Sequence, residues 1–264
     1  MNINDLKFIG KLKQKKYRDS GKLFIIEGKH IIEECLNSEY FSDKLQKIIL
    51  RNDFDDKIFL EKIIKFSPEI LNGKDFIKLT DTVNSQGIIG IVKMPEQSQF
   101  ETKKFQSKVI VALDNINDPG NLGTILRTCY WFGVNEIIIS ENSVDIYNSK
   151  TIRASQGAIF NVNIYCDVNL SFELEYYRKS GYEILFTKLD SDIFLNENIF
   201  SKEKKYVFVF GNEANGISGN LKKSVMHTGI KIKSYSKCES LNLGTSVGIV
   251  LYEMNKAMDL KLQD

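Results

Sequence analysis

From residue 108 onward the chain repeats one figure: a short, unbroken apolar run, a polar turn, then a segment with helical period. The runs are "KVIVALD", "NEIIIS", "NVNIYC", "YEILFTKLD", "KKYVFVFG" and "TGIKIKS". Between and after them stand "PGNLGTILRTCYWFG", "NSKTIRASQGAIF", "LSFELEYYRKSG" and "SLNLGTSVGIVLYEMNKAMD", whose apolar positions recur with helical period. The first of these helices opens on proline and the third ends on glycine, as helix boundaries do. Apolar runs that never alternate with polar residues predict strands buried on both faces, hence an α/β fold with a parallel sheet between helical layers.

Residues 1–94 alternate more weakly. "LKFIGKLKQKKYR" reads as one basic amphipathic helix, "KLFIIEG", "KLQKIIL" and "QGIIGIVKM" as strands, and "KHIIEECLN" and "DDKIFLEKIIKF" as helices. This predicts a small α/β domain over 1–94. "PEQSQFETKKFQS" is polar, opens on proline and has no period, so 95–107 is read as a linker and 108–264 as a second domain.

Composition narrows the classes. Of 264 residues 42% are hydrophobic and 27% charged, a globular balance rather than a disordered one. No apolar run approaches the ~20 residues of a membrane helix, and "MNINDLKFIGKLKQKK" is too charged for a secretory signal. Four scattered cysteines form no CxxC pair, which predicts reduced thiols and a cytoplasmic protein. With two histidines, His30 and His227, no metal site is expected. The net charge is only +2, but Lys7, Lys11, Lys13, Lys15, Lys16 and Arg18 follow one another without an intervening acid. Such a run either neutralises phosphates or forms a solvated helix face.

In parallel sheets ligands bind beyond the carboxyl ends of the strands. Three loops there are rich in Gly, Asn and Ser: "DNINDPGNLG", "GNEANGISGN" and "KSYSKCESLNLG". In the first, Asp118 can cap the helix that follows, Asn121 offers a donor and an acceptor, and the free N–H groups suit an anion. Arg127 lies one to two turns into that helix, either as a cation for the anion or as a snorkelling surface residue. In the second, Gly211, Gly216 and Gly219 do not make GxGxxG and no Walker lysine follows, which disfavours nicotinamide and nucleoside-triphosphate enzymes. Glu213 there either satisfies turn N–H groups or serves a ligand. In the third, Ser240 can cap the last helix, with Asn242 in its first turn.

Together "NINDPGNLGTILRTCYWFGV", "VFVFGNEANGIS" and "IKIKSYSKCESLNLGTSVGIVLYE" resemble, in order and spacing, the three motifs of the SpoU (TrmH-like) RNA ribose 2′-O-methyltransferases of the SPOUT superfamily. "VDIYNSKTIRASQGAIF" resembles the family's helix between the first two, with Lys150, Arg153, Ser155 and Gly157. "FIIEGKHIIEECL" is similar to the ribosomal-protein-like RNA-binding domain that many members carry. The resemblance implies a sheet whose C-terminal segment forms a deep trefoil knot, S-adenosylmethionine held in the knotted loops, and a homodimer with active sites near its interface. It implies catalytic roles for Asn121, Arg127, Glu213, Ser240 and Asn242, and cofactor contacts from Gly211, Ile232 and Leu241. Lys233 departs from the family's usual proline and Ala214 from its usual glycine, which bears on loop shape. The expected activity is methylation of a ribose 2′-hydroxyl, with ribosomal RNA as substrate and transfer RNA as the alternative. A catalytically silent RNA-binding assembly factor is the rival reading. The basic run, with Lys150 and Arg153, is then expected to grip RNA phosphates.

Overall fold

Strand β5 (Val109–Leu113) lies at the middle of a six-stranded, all-parallel sheet, as the unbroken apolar runs predict. The order is β10-β8-β9-β5-β6-β7, with β6 at Glu136–Ser140, β7 at Asn163–Val168, β8 at Tyr182–Thr187, β9 at Lys205–Phe210 and β10 at Thr228–Ile230. All five residues of β5 are buried, and Ile110, Ala112, Val207, Val209 and Phe186 join one core beneath helix α8 (Leu170–Lys179). In this computed structural model residues 3–95 and 107–258 are described. The expected linker, 95–107, lies outside the described residues apart from its two ends.

Beyond β5 the sheet grows in two directions: β6 adds on one side and β9 on the other. That reversal opens a crevice at the carboxyl ends of β5 and β9, the topological position where such sheets bind ligands. Helix α6 (Pro119–Trp131) leaves β5 there, and the last helix, α10 (Leu243–Met258), packs along it. Gly244 lies against Thr124, Gly248 against Thr128, and the Asn255 amide donates to the Phe132 carbonyl, so the two helices run parallel. A short helix, α9 (Gly219–Ser224), follows β9 and escaped the sequence reading.

The N-terminal unit has its own four-stranded sheet, ordered β1-β4-β2-β3, from β1 (Leu23–Glu27), β2 (Leu45–Arg51), β3 (Glu69–Leu71) and β4 (Ile88–Lys93). Helices α3 (Lys29–Asn37) and α4 (Lys57–Ile63) match the predicted ones; β3 and the one-turn helix α5 (Gly73–Phe76) are too short to show a period. The expected single basic helix is two, α1 (Ile3–Lys11) and α2 (Lys15–Gly21). The break has a visible cause: Arg18 turns its Nη1 back onto the carbonyls of Leu12 and Lys13, at 2.8 Å each.

Residues 145–160, which the sequence places in the second domain, pack as part of this first unit. They include helix α7 (Ser149–Ser155). Arg18 pairs with Asp145, the Tyr147 and Phe24 rings lie 4.5 Å apart, and the Ser38 hydroxyl donates to the Phe160 carbonyl at 2.7 Å. Gly157, at φ +88, meets the Glu34 side chain so closely that any Cβ would collide with it. Periodicity reads local structure only, and cannot tell which of two cores an intervening helix joins.

Candidate active site

The first loop starts with Asp114, which is buried and accepts from the Ser218 amide at 2.7 Å through one oxygen and the Asn115 side chain at 2.8 Å through the other. Asn115 adopts φ +54, a conformation Asn tolerates better than most residues. Its N–H reaches the Ser140 hydroxyl and its carbonyl accepts from the Asn212 amide. Asp118 then caps α6 as predicted, accepting from the Asn121 N–H at 2.7 Å, with Pro119 in the first turn.

The second loop is a tight turn closed by paired backbone bonds between Asn212 and Gly216. Its free N–H groups, those of Ala214 and Asn215, are taken by Oδ1 of Asn212. Glu213 is therefore not needed to satisfy the turn and projects, exposed, toward α6. Gly211 is buried, and a Cβ there would lie 2.2 Å from the backbone of Gly216 and Ile217, so the turn closes only over glycine.

In the third loop the cap of α10 is Asn242, whose Oδ1 accepts from the Thr245 N–H at 3.2 Å. This corrects the expectation that Ser240 caps the helix: Ser240 lies farther upstream, exposed, and its carbonyl accepts from the Cys238 thiol. Asn242 Nδ2 donates to Asn121 Oδ1 at 2.8 Å, and Asn121 Nδ2 donates to Glu213 Oε1 at 2.9 Å. Three loops far apart in sequence are thus joined by a one-way relay: helix amide, Asn242, Asn121, Glu213. Three of the five expected catalytic side chains are in direct contact.

Arg127 is exposed and, among the described residues, makes no hydrogen bond or ion pair. It shares a face of α6 with Thr124 and Trp131, which is 83% exposed. Its guanidinium is available to an anion, since no described residue takes up its five donors. Ile232 is half-buried and Leu241 is 49% exposed. The N–H groups of both are untaken among the described residues. Apolar side chains beside free backbone donors are what an adenine ring requires, so these loops suit an adenosyl group. Among the described residues no cluster of His, Cys, Asp and Glu could hold a metal.

The expected RNA-facing cations fare unequally. Lys7, Lys11, Lys15 and Lys16 are exposed, with Lys15 paired to Asp19 and Lys11 over the Tyr17 ring. Lys13 is half-buried between the Thr80 carbonyl and Asp81. Arg18 is 3% exposed and fully committed to Asp145 and two carbonyls, so its charge serves the fold. Lys150 is exposed; Arg153 is half-buried, with Nη1 enclosed and, among the described residues, without a hydrogen-bond partner.

The model of the SpoU rRNA Methylase family matches residues 108–252. The chain belongs to that family. Residues 4–90 match an MRM3-like substrate binding domain. Over 244 residues the chain is 27% identical to the 23S rRNA (guanosine(2553)-2′-O)-methyltransferase RlmP of Bacillus subtilis, covering 92% of this chain and 93% of that one. It is 28% identical to the 23S rRNA (adenosine(1067)-2′-O)-methyltransferase of Streptomyces azureus, over 62% of this chain and 60% of that one. An AdoMet-bound rRNA methyltransferase from Sinorhizobium meliloti superposes with a TM-score of 0.80 at 26% identity, over 97% of this chain and 96% of that one.

For this SpoU family member, sequence reasoning missed Asp114, Asn115 and Asn212. Each organises loop backbone. The only trace in the sequence is an Asn just after each of two apolar strands, in "ALDN" and "FGN".

Proposed function

We propose that the protein transfers the methyl group of S-adenosylmethionine to a ribose 2′-hydroxyl of ribosomal RNA. One observation carries the reading: the Asn242–Asn121–Glu213 relay gathers the three family loops at the crevice of the sheet, and Arg127 stands exposed farther along the helix that carries Asn121. Gly211, Ile232 and Leu241 would hold the cofactor, and Ser240 lies in the same loop as Leu241 and Asn242.

A ribose hydroxyl attacks well only when its proton is drawn off. A guanidinium is a permanent cation, so Arg127 acts by electrostatics: donating to the target's phosphate or hydroxyl oxygen, it stabilises developing alkoxide charge while the hydroxyl's proton passes to solvent. Asn121 and Asn242 hold loop and ribose in one orientation, because each amide has its direction fixed by its neighbour. Bound S-adenosylmethionine supplies a methyl group already activated on a sulfonium.

Four finer features complete the proposal. The C-terminal segment passes as a trefoil knot, a reading supported by the path from the edge strand β10 back across β8 and β9 to α6 beside β5. The protein is a homodimer, a reading supported by the bare aromatic face of Tyr130, Trp131 and Tyr252 on α6 and α10. The first unit binds RNA through Lys7, Lys11, Lys15, Lys16 and Lys150. The protein works in the cytoplasm during ribosomal RNA processing, in keeping with four cysteines that form no disulfide.

The test is transfer of labelled methyl from S-adenosylmethionine into ribosomal RNA, followed by alkaline hydrolysis. A 2′-O-methylated nucleotide resists alkali, so label is expected in dinucleotides and is expected to vanish with Arg127→Ala. Label confined to mononucleotides would mean base methylation and sink the reading.

A further inference from the structure

The loop that carries Asn242 begins with an unusual surface. Lys231, Lys233 and Lys237 are interleaved with Tyr235, and from 233 to 242 every residue is exposed. Tyr235 is 88% exposed, so its ring gains nothing from the protein core. Lys233 Nζ sits 5.1 Å from the centre of that ring, and Lys231 Nζ sits 5.0 Å from the ring of Phe194. The backbone around Tyr235 is shaped by its own hydroxyls: Ser234 donates to the Ser236 carbonyl, and Ser236 Oγ accepts from the Cys238 N–H. Seven residues beyond Tyr235, the same loop delivers Asn242 to Asn121.

A solvent-facing aromatic ring with cations on either side, next to a site for RNA chemistry, matches how unpaired bases are held. The ring stacks on a base of any identity while the cations take the flanking phosphates. A role in this chain's own core is ruled out by exposure. A cofactor role is disfavoured by Lys233, because a free ammonium over the ring opposes a sulfonium as a neighbour. We propose that Tyr235 is a substrate-positioning residue: it stacks on an unpaired base of the target RNA, with Lys233 and Lys237 on adjacent phosphates. This rests on the RNA-methyltransferase reading above and adds a contact made by the catalytic unit itself.

The experiment uses the full-length protein and an unmodified 23S ribosomal RNA transcript. It measures the Kd for the transcript, the KM and kcat for methyl transfer, and the Kd for S-adenosylmethionine, for wild type, Tyr235→Ala and Tyr235→Phe. Loss of one base–aromatic stack weakens binding by roughly 5- to 100-fold. Tyr235→Ala is expected to raise both the transcript Kd and KM by that factor. Its cofactor Kd should stay within twofold, and Tyr235→Phe should restore wild-type values. Three results would overturn the proposal: RNA constants for Tyr235→Ala within twofold of wild type, Phe failing as badly as Ala, or cofactor affinity falling in step. If the wild type binds the transcript without methylating it, the catalytic reading falls, and the ratio of transcript Kd values still decides the stacking.

Discussion

Asn242 donates from its side-chain amide to the side-chain carbonyl of Asn121 across 2.8 Å, although 121 residues separate them. Asn121 in turn donates to Glu213, so its amide can point only one way. Direction, not mere polarity, is therefore the property to test. Glu213→Gln keeps an acceptor for Asn121 and should retain most activity. Asn121→Asp keeps volume but sets a second carboxylate against Glu213, and should fall below Asn121→Ala. Each lost bond is worth about 1 kcal/mol, and the like-charge pair adds a further penalty. Methyl transfer measured for the three variants decides this: Asn121→Asp exceeding Asn121→Ala would show that the relay does not orient the site.

Arg18 and Asp145 make the opposite kind of contact, a buried ion pair with Nη2 2.5 Å from Oδ2. Removing one partner of such a pair costs about 3–5 kcal/mol, because the other charge is left unpaired. Arg18→Met should lower Tm markedly. Lys16→Ala, on the exposed surface, should leave Tm nearly unchanged and reduce the salt dependence of RNA binding by about one counterion. Equal effects of both variants on RNA binding, with no loss of Tm at Arg18, would return Arg18 to the RNA-facing set.

These two pairs mark what was legible in the sequence. The strands of the parallel sheet were readable because both faces are buried and composition alone betrays that, as in "KVIVALD". Asn121, Glu213 and Asn242 were readable as a set only through the resemblance, since no periodicity relates residues on three loops. Arg18 was misread because a run of cations looks the same whether one of them turns inward or not. The breaking of the N-terminal helix and the placement of 145–160 followed from that same inward turn and from Asp145, which are tertiary facts. Tyr235 was passed over because an aromatic residue in a loop has no pattern until its exposure is known.

Glu136, at the amino end of β6, and Glu173, in the first turn of α8, each keep one carboxylate oxygen buried without a hydrogen-bond partner among the described residues. Burial holds both carboxyls above the ordinary range; for Glu136 the Asn163 and Tyr165 bonds offset this only in part. The folded state therefore binds more protons than the unfolded chain between the ordinary Glu value, about 4.3, and the raised folded value. The stability these two groups contribute is therefore greatest below that window and falls as pH rises through it. Glu173→Gln should raise Tm at neutral pH and flatten the profile. A Tm that climbed with pH across the window, or a Glu173→Gln variant less stable than wild type at pH 7, would contradict this account.

Gly211 and Gly216 close the same turn for different reasons, and that difference can be measured. At Gly211 the obstacle is space: an added Cβ would stand 2.2 Å from the backbone of Gly216 and Ile217, and backbone cannot swing aside as a flexible side chain would. At Gly216 the obstacle is torsion, with φ at +65 and nothing within 4 Å of an added Cβ. Asn tolerates that left-handed conformation, so Gly216→Asn should cost well under the ~1–2 kcal/mol of a typical residue there. Gly211→Ala adds a single methyl group yet must force the turn open. It should lose stability in the ~1–3 kcal/mol range of overpacking or beyond. Opening the turn also displaces Asn212 and Glu213, so S-adenosylmethionine affinity should drop with Gly211→Ala and hold with Gly216→Asn. Calorimetric titration of both variants, beside their Tm values, separates the two causes. Gly211→Ala binding cofactor as wild type does would mean that the turn is not part of the cofactor site.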